Sequence, residues 1–200
     1  MSLFLALVVA ASALAAADTQ TTYAAPQAAP APEADLATLG HGIDDVQLVD
    51  DGGKTVRWAE LKGRPRAVFF GFTRCPVICP VTVWEIDAAL EKIGKDAAGV
   101  QMNFVSLDPA RDTPAAMKGY FSSFKARMRA LTGSPASITR VAKAFDVVHT
   151  KVALSNGDYT LDHTAAVFLL DDKGNVVDVM GYGTPQDKMV KRFKQLLGLK

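Results

Sequence analysis

Apolar positions along this chain fall into two distinct periods. Val68 to Phe72 is an unbroken β-branched and aromatic run, and predicts a buried strand over Arg66 to Phe72. Val83, Ile86, Leu90 and Ile93 then recur on one stripe, predicting an amphipathic helix from Pro80. Gln101 to Leu107 reads as a second buried strand, ending at Ser106-Leu107-Asp108-Pro109. A helix from Pro114 carries Met117, Phe121, Phe124 and Met128 on one face, and another from Pro135 carries Ile138, Val141, Ala142 and Phe145. Val147 to Leu154 and His163 to Leu170 read as strands, with the polar stretch Asp158 to Asp162 as their connection. The second of these turns back through Asp172-Lys173-Gly174-Asn175 into Val176 to Met180. A last helix opens at Thr184-Pro185, with Met189, Phe193, Leu196 and Leu197 inward. Upstream, Val46 to Val49 and Thr55 to Trp58 flank Asp50-Asp51-Gly52-Gly53, a β-hairpin signature. The pattern predicts an α/β domain with a central mixed sheet, flanking helices and an N-terminal β-hairpin.

Between the first buried strand and its helix lie both cysteines of the chain, in Phe69-Phe70-Gly71-Phe72-Thr73-Arg74-Cys75-Pro76-Val77-Ile78-Cys79-Pro80. A dithiol where a strand ends and a helix begins is the arrangement of a thioredoxin-like site. Pro80 is at home at a first helical position, which makes Cys79 the expected N-cap. Thr113-Pro114, Ser134-Pro135 and Thr184-Pro185 open helices in the same way. A sulfur at that cap faces free N–H groups and the positive end of the helix dipole, so Cys79 is expected to be the more thiolate-like of the pair. A purely structural disulfide is the plainer alternative, but so short a loop gains little from being closed.

Composition narrows the setting. Hydrophobic residues are 49% and charged residues 22% of the 200, and the net charge is +1, which gives no global field for nucleic acid or membrane. Ser2 to Ala17 is almost wholly apolar and ends in Ala15-Ala16-Ala17. Residues 1–17 therefore read as a secretory signal, with an uncleaved membrane anchor as the alternative. Residues 18–39, with Pro26, Pro30 and Pro32, read as a flexible Ala/Pro-rich linker, and 40–200 as the folded domain. Export implies a periplasmic location, where both thiol chemistry and copper handling are at home.

A metal needs more than two sulfurs, and the chain has three histidines. His41, in a Gly-flanked segment, and His149, in a predicted strand, are expected to face solvent. His163 sits where a thioredoxin-like sheet brings a segment against its dithiol, a place ordinarily held by a cis-proline. No proline occurs between Pro135 and Pro185. Two thiolates and an imidazole form a soft set suited to copper, whereas zinc would want a fourth ligand. On spacing alone, His163 as a ligand and His163 as a strand residue bonded to Asp162 or a backbone carbonyl stay equally open. Met117, Met128 and Met189 lie on helical stripes and read as core, not thioether ligands. Asp108, Arg111 and Asp112 read as a Pro-bounded turn with an internal ion pair. Trp84 falls off its helix's apolar stripe and close to the dithiol, either as a docking residue or partly buried at the rim.

Three motifs, in order, resemble the Sco/SenC family of copper proteins in cytochrome c oxidase assembly. They are Phe70 to Pro80, Ser106-Leu107-Asp108-Pro109-Ala110-Arg111-Asp112-Thr113-Pro114, and Asp162-His163-Thr164. The resemblance implies that Cys75, Cys79 and His163 ligate copper, as Cu(I) or Cu(II), with Asp108 and Asp162 near the site. It also implies an oxidase copper-binding subunit as recipient, and a periplasmic copper donor or thiol reductant as further partners. The family commonly has Asp where this chain has Val77, so the site here is more apolar. A copper chaperone is the leading function. The alternative is a thiol:disulfide oxidoreductase in which Cys75 and Cys79 cycle between dithiol and disulfide. A peroxidase-like thiol enzyme is weaker, because it would leave His163 unused.

Overall fold

The computed structural model describes residues 35–125 and 128–200. The expected signal segment and most of the expected linker lie outside the described residues. From Asp35 the chain is folded: the Asp35 carboxylate accepts from Ala37 N–H to cap a short turn, and Leu39 is already buried. The strands are β1 (Gln47–Asp50), β2 (Thr55–Arg57), β3 (Arg66–Gly71), β4 (Gln101–Ser106), β5 (Met128–Thr132), β6 (His149–Ala153), β7 (Tyr159–His163), β8 (Ala166–Leu170) and β9 (Val176–Gly181). The helices are α1 (Ile78–Ile93), α2 (Pro114–Phe121), α3 (Pro135–Ala144) and α4 (Gln186–Leu196). No helix among the described residues is long and apolar enough to cross a membrane.

Seven strands form one mixed sheet in the order β2-β1-β5-β4-β3-β8-β9. β3 pairs in parallel with β4 and antiparallel with β8, and every one of its residues is buried. That double burial is why its sequence is a continuous apolar run instead of an alternating one. The expected N-terminal hairpin is β1–β2, its turn held by Asp50, whose carboxylate accepts from Gly52 and Lys54 N–H. The hydroxyls of Thr113 and Ser134 cap α2 and α3 with proline at the first turn, as the Thr-Pro and Ser-Pro pairs predict. Thr184 does not cap α4: its hydroxyl donates to the Gly181 carbonyl, and the helix starts after Pro185.

Two elements differ from the sequence expectation. The helix from Pro114 stops at Phe121, and Met128 opens strand β5, where it sits opposite Met102 of β4. The spacing of Met117, Phe121, Phe124 and Met128 suits a helix, but Ser122 and Ser123 are weak helix formers and the edge of β4 captures the chain from Met128 onward. Met128 remains a core residue. His163 to Leu170 is two strands, not one. β7 ends at His163 and pairs with β6 as a separate two-stranded sheet, whereas β8 belongs to the main sheet. Tyr159, Leu161 and His163 alternate with Thr160 and Asp162, so the stretch expected to be a polar connection carries the period of a half-buried strand.

Arg66, the first residue of β3, is fully buried, and its guanidinium has no hydrogen-bond partner among the described residues. It lies over the Trp58 ring, 5.5 Å from the centroid, and burial pushes its pKa down to about 10. The Asp44 and Asp171 carboxylates act on it from a distance, but burial outweighs them, and a buried cation without hydrogen bonds is a net liability. Arg66→Met keeps the stem and removes the charge, and is expected to raise the Tm by about 2–6 °C. A fall in Tm on thermal denaturation would show that the guanidinium is better satisfied than its surroundings indicate.

Candidate metal and thiol centre

The C-terminal end of β3 is where the chemistry collects. Gly71, its last residue, pairs with Ser106 of β4, and the chain then turns through Thr73 and Arg74 to Cys75. A buried carboxylate fixes that turn. Asp112 accepts from Thr73 N–H at 3.0 Å, Thr73 Oγ1 at 2.6 Å and Ser106 Oγ at 2.6 Å. The dithiol loop is thereby tied to the end of the neighbouring parallel strand, the usual place for a site in such sheets.

Cys75 Sγ, Cys79 Sγ and a His163 ring nitrogen all lie within 4.8 Å of one another, and all three residues are buried. Among the described residues this is the one cluster of its kind. Both thiols are free. His163 Nδ1 is 3.0 Å from the Thr164 carbonyl, which can only accept, so Nδ1 carries a proton. Nε2 is thereby directed at the dithiol, 3.5 Å from Cys79 Sγ. A second ring-nitrogen bond that fixes tautomer and orientation is how metal-binding histidines are held. The Phe72 ring meets the imidazole edge-on, with centroids 5.9 Å apart.

The expected capping geometry is reversed between the two cysteines. α1 begins at Ile78 with Val77 as its N-cap, so Cys79 lies inside the first turn. Val77 offers no side-chain acceptor, and Cys75 Sγ instead accepts from Cys79 N–H at 3.3 Å. Pro80 still costs no helix bond, since the first-turn amides lack intrahelical partners anyway. Cys75 is therefore the sulfur at the helix N-terminus. Its pKa falls well below the ordinary thiol value: the hydrogen bond from the Cys79 side chain comes first, burial opposes it, and the Cys79 and Val77 amides add to the lowering. Cys79 moves the other way: burial comes first, then the neighbouring Cys75 thiolate, and both favour keeping its proton.

The remaining candidates separate cleanly. Asp108 is buried, but it is engaged by Arg111 and by Tyr159 Oη, not turned toward the sulfurs. Asp162 precedes His163 and is exposed. His41 is exposed as expected, whereas His149 is half-buried and sits directly opposite His163 across the β6–β7 pair. Met117 and Met189 are core residues. Trp84 is 64% and Val77 46% exposed, so Trp84 is a surface residue and not partly buried at a rim. The sequence reading missed Asp112 as the anchor of the loop; its signal was a carboxylate between a strand end and a capped helix.

A match to the SCO1/SenC family model extends over residues 39–198. The chain belongs to the SCO1/SenC family. It is 34% identical over 170 residues to the mitochondrial SCO1 homolog 1 of Arabidopsis thaliana, covering 82% of this chain and 50% of that protein. It thus spans about half the length of that relative. The structure of Bradyrhizobium japonicum ScoI with copper bound is similar at 42% identity and a TM-score of 0.69, covering 76% of this chain and 96% of that one. BsSco, a Sco-family cytochrome c oxidase assembly protein with a disulfide switch, is similar at 25% identity and a TM-score of 0.62, covering 79% and 94%. The mixed sheet with flanking helices and N-terminal hairpin is the thioredoxin-like fold of these Sco structures.

Two outcomes are expected from the geometry. In the intact reduced protein, with alkylation followed at each cysteine by peptide mass spectrometry, Cys75 should reach half its maximal rate at a pH below that of a free thiol and Cys79 at a pH above it; the reverse order would restore Cys79 as the capping sulfur. A Cβ at Gly71 would stand 2.7 Å from Cys79 Sγ and 3.0 Å from Phe104 Cε2. Gly71→Ala is accordingly expected to cost about 1–3 kcal/mol in chemical denaturation, and no loss would mean that the sulfur is free to shift.

Proposed function

We propose that this protein is a copper chaperone that carries one copper ion on Cys75, Cys79 and His163 and hands it to the copper-binding subunit of cytochrome c oxidase. The observation that carries this reading is the donor set itself. Two sulfurs and an imidazole nitrogen, oriented by its own Nδ1–H bond, converge within 4.8 Å, all three on buried residues. Such a soft, low-coordinate set suits copper better than zinc. The copper-bound ScoI and the place of BsSco among oxidase assembly proteins point the same way. Val77, between the two cysteines in the chain, is exposed and offers a surface from which a partner could take the ion. Copper here is cargo: a site with three protein donors holds the ion while leaving room for a donor from the recipient.

A thiol:disulfide role is the second reading, and one observation favours it. Cys75 carries the thiolate and Cys79 the proton, the asymmetry that a dithiol needs to attack and then resolve a disulfide. BsSco has a disulfide switch, and in this chain a Cys75–Cys79 disulfide would have no sulfur free to hold copper. Oxidation therefore gates the metal in either reading. We place the domain, which is folded from Asp35 and not from residue 40 as the composition suggests, outside the cytoplasm, delivered there by the apolar segment 1–17 acting as a signal or an anchor, with 18–34 as a tether.

The reduced protein is expected to bind one copper per chain, and Cys75→Ser or Cys79→Ser to abolish stable binding. His163→Ala should weaken Cu(II) about a hundredfold and Cu(I) far less, because Cu(II) prefers nitrogen and higher coordination. The same variant should keep Cys75–Cys79 redox cycling yet fail to restore oxidase copper-site assembly in a strain lacking this protein. Restored assembly would favour the oxidoreductase, and full Cu(II) affinity would remove His163 from the site.

A further inference from the structure

The β6–β7 hairpin that brings His163 to the dithiol is not part of the main sheet. Every residue of β6 is exposed or half-exposed, and β7 buries only Leu161 and His163. A two-stranded ribbon with so little buried surface is marginal by itself. At its base the two legs are joined to each other through Thr164 and Val148, where Thr164 N–H donates to the Val148 carbonyl and Val148 N–H to Thr164 Oγ1, and the chain then enters β8 at Ala166. Its tip is held differently, by charge.

At the tip, Arg111 bridges the hairpin and the Asp108 turn through Nε and Nη1, while its buried Nη2 has no hydrogen-bond partner among the described residues. Nη1 donates to Asp158 Oδ1 at 2.8 Å and to the Tyr159 carbonyl at 2.8 Å, while Nε donates to Asp108 Oδ2. The guanidinium lies over the Tyr159 ring, 3.6 Å from its centroid, and Tyr159 Oη donates to Asp108 Oδ1 at 2.7 Å. The Arg111 and Asp108 side chains are 11% and 1% exposed, so this pair is shielded from solvent. Arg74 also reaches Asp158, at 3.4 Å, but that contact is mostly exposed and contributes little. The body side of the network is continuous with the dithiol loop. Asp108 N–H donates to Ser106 Oγ, which donates to Asp112, which accepts from Thr73.

We propose that Arg111 is a positioning residue: by latching the hairpin tip to the Asp108 turn it sets where His163 meets Cys75 and Cys79. Tyr159 and His163 are the two ends of β7, roughly 13 Å apart along an extended strand. A lever of that length converts a small swing at the tip into a misplaced ring nitrogen, and metal donors tolerate displacements of only about 0.5 Å. The thiols sit on the strand–helix junction that Asp112 holds independently of the hairpin, so loss of the latch is felt first at the nitrogen donor. It thereby decides how far the site is preorganised for the ion that needs nitrogen, Cu(II), over the ion that two sulfurs can hold, Cu(I). The copper part of this rests on the reading of His163 as the third donor; the mechanical part does not.

The test uses the full chain, reduced and metal-free, as Arg111→Met and Asp158→Asn. Amide hydrogen exchange in β6 and β7 is expected to accelerate at least about tenfold in Arg111→Met, with β3 and β4 within about twofold of the parent. Asp158→Asn should act in the same direction and less. Titration of both variants with copper should show Cu(II) affinity reduced about tenfold and Cu(I) affinity within about threefold. Unchanged hairpin exchange would overturn the latch, as would uniform acceleration across all strands. Faster hairpin exchange with unaltered Cu(II) affinity would overturn its positioning of His163. Should Arg111→Met not fold, Asp158→Asn decides, because its carboxylate is half-exposed and its loss leaves the Asp108–Arg111 pair in place. His163→Ala, titrated alongside, reports separately on whether His163 ligates copper at all.

Discussion

A strand that ends in a metal-binding loop leaves backbone groups without partners, and something must fix that loop before its thiols can be aimed. Here the group is the Asp112 carboxylate, buried and accepting from Thr73 N–H, Thr73 Oγ1 and Ser106 Oγ. One anion thus closes the gap between the ends of two parallel strands. The same Ser106 hydroxyl accepts from Asp108 N–H, and Asp108 holds Arg111 and Tyr159. Both arms of the site, the dithiol loop and the histidine hairpin, are referenced to this single turn. Without it, Cys75 and His163 would belong to two loosely related surface segments.

Within that frame the three donors are chemically unequal. Cys75 accepts the helix N-terminal amide and tends to thiolate, while Cys79, fully buried against Gly71 and Phe104, holds its proton. A copper ion that displaces the Cys79 proton regains in metal–sulfur bonding what burial withholds from the free anion. His163 is tied through Nδ1 to its own chain, which leaves Nε2 as the only ring atom facing the sulfurs. The result is a buried cluster with two sulfurs on the strand–helix junction and the imidazole on a hairpin outside the main sheet. That division fits the proposed role of holding copper and then releasing it.

Much of this was legible in the residues. The apolar runs and stripes gave β3, β4, α1, α3 and α4, and the spacing of Cys75 and Cys79 after β3 gave the site's place. The misreadings have identifiable physical reasons. Met128 continues a helical spacing across Ser122 and Ser123, so its capture by the sheet edge depends on β4, which no local pattern reveals. The alternation Tyr159-Thr160-Leu161-Asp162-His163 was visible, but its polar members hid a strand that pairs outside the main sheet. Assigning the cap to Cys79 came from Pro80 at the first helical position; Pro80 instead sits two residues further in, and the sulfur four residues before Cys79 takes the amide. For His163 the two readings that spacing left open turn out compatible: one ring nitrogen bonds a backbone carbonyl and the other faces the thiols.

The central claim is that Cys75, Cys79 and the Nε2 atom of His163 act together as one copper site. X-ray absorption at the copper edge tests it without reference to activity, on the reduced chain loaded with one equivalent of Cu(I) and, separately, Cu(II). Two sulfurs at about 2.2–2.3 Å and an imidazole nitrogen at about 2.0 Å, with the nitrogen contribution lost in His163→Ala, is the predicted result. A first shell without imidazole, or one unchanged by the loss of His163, would contradict it.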